Sequence, residues 1–213
     1  MNEKLLQGKK IAVLVETEFI WDEIEYYRKY FSSLGATVHF MTYLWGKKNM
    51  RFINDVDSPE RTVDSLHSID VDICVTSVDS NEYDAVLMAA NYCAVRLREI
   101  PPMNSHGSCA ATRTAPAVDF YAKAMLNKKI VKGALCHALW ILTPVPELLE
   151  GRKVICHTVV LADICNAGGI FVSVPEEVYV DDDLVTGRSA KNLDAYCNLI
   201  LQTMLEKGGS KSL

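Results

Sequence analysis

Short apolar runs and helical patterns alternate along most of the chain. The run at residues 10–15 is rich in β-branched side chains and predicts a buried strand. Apolar positions then recur at helical spacing through Tyr26 and Leu34, and Gly35 is suited to end that helix. Residues 36–42 form the next apolar run, so the opening of the chain predicts a βαβ unit with parallel strands.

The same alternation continues to the end of the chain. The apolar runs predict strands at 83–89, 129–135, 152–155 and 170–174, and helical spacing predicts helices at 116–127, 159–166 and 193–206. The polar segment 47–81 predicts short edge strands or a hairpin, and the runs at 178–180 and 184–186 flank an acidic turn. This order is typical of an α/β fold in which helices flank a mainly parallel sheet on both faces.

No repeat, linker or low-complexity block divides the 213 residues, which predicts one domain over residues 1–213. The segment at about 93–115 contains Pro101-Pro102 and Gly107, and it is too long and irregular for an ordinary connection. We therefore expect an insertion there that forms a lid or a subunit contact.

Composition excludes several classes of partner. The formal net charge is −5 and the Lys and Arg residues are scattered, so we expect no nucleic-acid and no membrane partner. The first ten residues contain no long apolar stretch, which favours a cytoplasmic location. The seven cysteines are an odd number without a Cys-x-x-Cys pair, so reduced thiols are expected.

Cys136 directly follows the run at 129–135 and precedes a helical pattern. Functional sites of parallel sheets lie at the carboxyl ends of the strands, and a cysteine at a helix start has its thiolate favoured by the helix dipole. The small residues Ala134 and Ala138 leave room for a tight turn. The pattern predicts a reactive cysteine with a pKa below the free-thiol value of about 8.5; the alternative is a buried structural cysteine at a strand end.

Four segments resemble motifs of the ThiJ/PfpI superfamily, which includes the parkinsonism-associated deglycase and the PfpI intracellular proteases. Gly133-Ala-Leu-Cys-His-Ala-Leu-Trp140 resembles the Ala-x-Cys-His-Gly elbow of that superfamily. The other three, in the family's order along the chain, are residues 83–91, 149–157 and 180–188. The resemblance implies a flavodoxin-like sandwich of the class I glutamine amidotransferase-like type.

The resemblance also implies roles for individual residues. The nucleophile falls on Cys136, its adjacent histidine on His137, and the acidic partner of the thiol on Glu23. Glu18, Asp22 and Glu25 remain alternatives for the acid, because acidic residues in a first helical turn also favour the dipole. His157 aligns with a histidine near the thiol and Arg188 with the Arg of a Thr-Ser-Arg motif; either can be structural instead.

Two departures from the family pattern affect the expected site. The family's Gly-Gly is Ala90-Asn91 here, and the Gly after Cys-His is Ala138. Asn tolerates the left-handed conformation, so the N–H groups of Asn91 and His137 are expected to form the oxyanion pocket. The methyl group of Ala138 is expected to make this pocket tighter.

The resemblance implies a cysteine-dependent enzyme that acts on a small carbonyl, amide or peptide substrate. Hydrolase (protease- or amidase-like), glyoxalase and deglycase chemistry all remain open. The alternative is a redox sensor or stress-protective chaperone whose Cys136 is oxidised instead of turning over substrate. We expect no metal and no cofactor, and the family resemblance implies a homodimer or a larger homo-oligomer.

Overall fold

The computed structural model describes residues 4–55, 66–98 and 107–209. Within these ranges the helices are α1 (Trp21–Ser33), α2 (Cys93–Arg98), α3 (Cys109–Arg113), α4 (Pro116–Leu126), α5 (Leu161–Asn166) and α6 (Leu193–Gly209). The strands are β1 (Lys10–Leu14), β2 (Thr37–Thr42), β3 (Met50–Ile53), β4 (Ser68–Val71), β5 (Ile73–Cys74), β6 (Ala85–Met88), β7 (Val131–Leu135), β8 (Lys153–Val154), β9 (Ile170–Phe171), β10 (Val178–Asp181) and β11 (Leu184–Gly187).

A seven-stranded sheet in the order β10-β11-β7-β6-β1-β2-β5 forms the centre of the molecule. All its pairs are parallel except β10–β11, which is an antiparallel hairpin. Every residue of β6 and β7 is buried, as expected of strands covered on both faces. The fold class predicted from the sequence is therefore confirmed.

The helices pack against this sheet in two groups. Helices α1 and α6 contact each other, and the hydroxyl of Tyr26 donates a hydrogen bond of 2.7 Å to Asp194. Helix α4 packs with α2 and with the 3-10 segment Ala138–Leu142 that follows Cys136. It begins with Pro116, whose fixed φ suits the first helical position. The hydroxyl of Tyr121 on α4 also donates to the Gly133 carbonyl of β7 at 3.0 Å.

The polar segment 47–81 has the predicted structure in its described part. Strands β3 and β4 form an antiparallel hairpin, and β5 is an edge strand beside β2. The start of the 93–115 segment differs from the prediction, because residues 93–98 form helix α2 with Cys93, Ala94 and Leu97 buried. Residues 99–106 lie outside the described residues, so the role of this segment as a lid or contact stays a prediction.

A buried ion cluster lies at the end of β7 remote from Cys136. Lys132 and Asp183 are both fully buried and form an ion pair, and the guanidinium of Arg152 contacts the second oxygen of Asp183 at 2.7 Å. Arg152 also donates to the carbonyl of Asp181 at 2.6 Å. The cluster thus ties β7 to the β10–β11 turn and to the start of β8.

Candidate active site

Cys136 occupies a tight turn directly after β7. Its φ is +60°, a left-handed conformation that costs a non-glycine residue energy and is concentrated at functional sites. Its N–H donates to Gly187 O at 2.8 Å, and its carbonyl accepts from His157 N at 3.1 Å. The end of β11 and the segment after β8 therefore hold the turn in place from two sides.

A second left-handed residue lies beside the first. Asn91, shortly after β6, also has a φ of +60°, and β6 and β7 are neighbouring parallel strands. The backbone N–H groups of Asn91 and His137 both lie on the side of the Cys136 sulfur and act to lower the pKa of the thiol. The structure thus brings together the two donors that the sequence assigned to an oxyanion pocket.

Glu23 is fully buried in the first turn of α1. Its two carboxyl oxygens accept from Ala90 N at 3.1 and 2.9 Å, and Oε1 also accepts from the Tyr27 hydroxyl at 2.7 Å. Burial raises the pKa of Glu23 to about 8, although the two hydrogen-bond donors oppose the increase. At neutral pH the group is therefore mainly a neutral acid.

The pKa of Cys136 is raised to about 12, first by burial and then by the charge of Glu23, while the N–H groups of His137 and Asn91 oppose the rise. The prediction of a pKa below 8.5 was therefore wrong in direction. Only 7% of Cys136 is exposed, and the helix that follows is a five-residue 3-10 segment, Ala138–Leu142, which supplies little dipole. Protonation of Glu23 removes the charge that raises the thiol pKa.

His137 and His157 lie next to each other above the turn. His137 Nε2 is 3.3 Å from His157 Nδ1, which also accepts from Val159 N at 3.3 Å. Since His157 Nδ1 acts as an acceptor, we assign the proton to His137 Nε2. Burial and then the neighbouring His157 lower the pKa of His137 to about 4, and its buried Nδ1 has no partner among the described residues. His137 thus presents an unused acceptor at neutral pH.

Of the acidic candidates, Glu23 is the one whose charge acts on Cys136. Asp22 is exposed on α1, and Glu18 forms an ion pair of 2.9 Å with Arg96. Glu25, on the same helix, pairs with Lys29 at 3.4 Å.

Arg188 is 3.3 Å from Glu177, and its N–H donates to the Glu177 carbonyl at 2.9 Å. These contacts give Arg188 a structural role beside the β10–β11 hairpin.

Sequence reasoning missed three aromatic residues at the site. The rings of Tyr92 and Trp140 lie 5.6 and 5.3 Å from the His137 ring, and 6.2 Å from each other. Tyr27, four residues after Glu23 on the same helix face, was also missed. The i, i+4 spacing of Glu23 and Tyr27 was the available signal.

Cys74 is a partly exposed cysteine outside this site. Cys74, at the end of β5, is half-buried, and its Sγ lies 3.1 Å from the Thr76 hydroxyl. Partial burial raises the pKa of Cys74, but hydrogen bonds from the Thr76 hydroxyl and from the N–H groups of Leu44 and Thr76 outweigh it, so the pKa is lowered. Its greater exposure and lower pKa therefore predict that the Cys74 thiol reacts faster than the Cys136 thiol with an external reagent.

Comparison with known proteins decides the family. A sequence model of the DJ-1/PfpI family matches residues 106–203. General stress protein 18 of Bacillus subtilis is 30% identical over 200 residues, which cover 94% of this chain and 99% of that protein. The chain belongs to the DJ-1/PfpI family. The resemblance found in the sequence motifs is thereby confirmed.

Two further comparisons extend over nearly the whole chain. A protein named "Putative cysteine protease YraA", also from Bacillus subtilis, is 27% identical over 191 residues, covering 89% of this chain and 94% of that protein. The crystal structure of Drosophila melanogaster DJ-1beta has a TM-score of 0.68 at 15% identity, covering 95% of this chain and 97% of that one. At that identity the likeness shows the shared fold alone.

The described residues offer neither a metal site nor a membrane span. No group of three or more His, Cys, Asp or Glu residues lies close enough to hold a metal ion within the described ranges. No helix in the part of the chain that the structure describes is long and apolar enough to cross a membrane.

Proposed function

We propose that this DJ-1/PfpI protein is a cysteine-dependent enzyme that acts on a small carbonyl, amide or peptide substrate, with Cys136 as nucleophile. One observation carries the proposal: two backbone N–H groups converge on the thiol of a left-handed cysteine. A tetrahedral intermediate places its oxyanion near the attacking sulfur, where such donors stabilise it. A structural cysteine has no need of either feature.

In the proposed first step the Cys136 sulfur bonds to the carbonyl carbon, and the electron pair of the C=O bond moves to oxygen. The oxyanion accepts from the N–H groups of Asn91 and His137. The thiol proton passes to His137 Nδ1, which is neutral and unpartnered. The raised pKa of Cys136 favours such a transfer coupled to attack over a resting thiolate.

With an amide or peptide, the intermediate then breaks the C–N bond and His137 returns its proton to the leaving amine. Water hydrolyses the thioester and restores the thiol. With an aldehyde, the adduct is a hemithioacetal, and Glu23 is the nearby acid that can protonate its oxygen. Glyoxalase or deglycase chemistry would continue from that adduct.

A second candidate function is that of a redox sensor, and two observations support it. One relative is named a general stress protein, and the 7% exposure of Cys136 admits a small oxidant more readily than a peptide. In this reaction one peroxide converts the Cys136 thiol to a sulfenic acid with release of water, and a second peroxide gives the sulfinic acid.

The deciding experiment measures turnover of methylglyoxal, simple amides and a casein-type substrate, with intact-mass analysis after mild peroxide. Cys136→Ser should abolish turnover. Cys156→Ser is the matched control, because Cys156 is a buried thiol whose pKa is likewise raised to about 12 by burial. Turnover that survives in Cys136→Ser would contradict the enzyme proposal, and stoichiometric oxygen addition at Cys136 without turnover would favour the sensor.

A further inference from the structure

The Glu23 carboxyl is fully buried and accepts hydrogen bonds from two donors. Its donors are the Ala90 N–H, which both oxygens share, and the Tyr27 hydroxyl, which reaches Oε1 alone. Tyr27 is also fully buried, so water does not compete for either group. Tyr27 is thus the one side chain in the described structure that hydrogen-bonds Glu23.

This arrangement makes the two carboxyl oxygens unequal. Oε1 accepts two hydrogen bonds, whereas Oε2 accepts only the Ala90 N–H. A protonated carboxyl carries its hydrogen on one oxygen, and an oxygen that already accepts from two donors is the poorer place for it. The hydrogen therefore belongs on Oε2 as long as Tyr27 donates to Oε1.

We propose that Tyr27 is a positioning residue for the acid of this site: its hydroxyl assigns the Glu23 proton to Oε2 and sets how readily that proton leaves. The inference rests on the proposed role of Glu23 beside Cys136. Tyr27 acts only through Glu23.

Other titratable groups near Glu23 could also affect its pKa. The titratable side chains that interact with its charge come from four elements and are Tyr27 on α1, Cys93 on α2, Cys136 after β7, and Tyr196 and Cys197 on α6. Burial raises the pKa of each well above neutral. All five are therefore neutral at pH 7, and none supplies a countercharge that could replace the Tyr27 hydrogen bond.

Tyr196 provides a matched control. It is as buried as Tyr27, and its ring packs 6.3 Å from the Tyr27 ring. Its hydroxyl interacts with the Tyr27 side chain without a hydrogen bond of normal geometry, and it makes none to Glu23. Tyr27→Phe and Tyr196→Phe each remove one buried hydroxyl from adjacent rings. Only the first removes a hydrogen bond to Glu23.

The test is a pH titration of the Glu23 carboxyl in the full chain by infrared difference spectroscopy, with Glu23→Gln identifying the band. A donor to the ionised form lowers a carboxyl pKa, so Tyr27→Phe should raise the pKa of Glu23 from about 8 to about 9 or above, while Tyr196→Phe, which removes no donor to Glu23, should shift it much less. Site-specific 3-fluorotyrosine at position 27, a stronger donor of nearly the same size, should lower it. This variant keeps the test valid where Tyr27→Phe fails to fold.

Equal shifts in the two Phe variants, or no response to fluorotyrosine, would overturn the inference. The titration needs no turnover, so it separates the two proposals. Suppose that the Tyr27 variants shift the pKa of Glu23 as expected, but that Cys136→Ser retains full turnover. The positioning role of Tyr27 would then stand, and the proposed enzymatic function of Cys136 would be refuted.

Discussion

Glu23→Gln should make Cys136 more reactive, and only in alkaline solution. The substitution nearly preserves the shape of the buried carboxyl and removes its charge. In the native protein that charge raises the pKa of the Cys136 thiol, second only to burial. Because burial raises the pKa of Glu23 itself to about 8, the charge is present mainly above that pH.

The size of the effect follows from Coulomb's law. For charges about 5 Å apart at an effective dielectric constant of about 20, the repulsion is roughly 3 kcal/mol, which corresponds to about two units of thiol pKa. At pH 9 a thiol with a pKa of about 12 is about 0.1% thiolate, and lowering that pKa by two raises the thiolate fraction roughly 100-fold. Below pH 7 Glu23 is protonated in the native protein, so the two proteins should react alike.

The assay is the rate of iodoacetamide addition to Cys136, followed by peptide mass analysis from pH 6 to 10. Asp22→Asn is the matched control, since it removes the adjacent but exposed carboxylate and should leave the rate unchanged. Thermal unfolding of each variant checks that the fold is kept. Equal rates for the native and Glu23→Gln proteins at pH 9 to 10 would refute the reasoning, as would a difference that persists at pH 6.

Three further predictions concern other parts of the molecule. Iodoacetamide at neutral pH should modify Cys74 before Cys136, because hydrogen bonding lowers the pKa of Cys74 and burial raises that of Cys136; peptide mapping checks the order. Asp183→Ala should lower the free energy of unfolding by about 3–5 kcal/mol in urea, because it leaves Lys132 buried without its carboxylate, whereas Asp119→Ala, at an exposed pair, should cost under about 1 kcal/mol. Light scattering should give a mass at least twice that of the monomer, because the family resemblance implies a homo-oligomer. A monomeric mass would contradict that expectation.

The fold was largely readable from the sequence, because strands buried on both faces leave continuous apolar runs. The runs at residues 10–15 and 129–135 are of this kind, and both became central strands, β1 and β7. Helix α2 escaped detection because it is only six residues long and carries Arg96 and Arg98 within its short apolar pattern. A single turn and a half of helix offers too few repeats of the 3.6-residue period to be recognised.

The candidate site shows a different limit. The position directly after a strand was enough to predict Cys136 at the carboxyl end of the sheet, whereas the roles of His137, Glu23 and Asn91 came from the resemblance to the family's motifs. The acidity of these groups could not be read in the same way, because it depends on how deeply each is enclosed. Burial makes Cys136 a weak acid, His137 a weak base and Glu23 a neutral acid, all against the ordinary values of those residue types.

These shifts support each other in one respect. A neutral Glu23 relieves the repulsion that a charged carboxylate exerts on a Cys136 thiolate, and a neutral His137 keeps Nδ1 free to accept a proton. Cys136, Glu23 and His137 are thus all neutral at rest, and charge would develop on the sulfur or its adduct only when sulfur attacks a substrate carbon or an oxidant. Preformed donors are most effective against charge that appears at that moment, because the N–H groups of Asn91 and His137 need no reorganisation to meet it. The same argument explains why a thiol with a high pKa in this pocket remains compatible with nucleophilic chemistry.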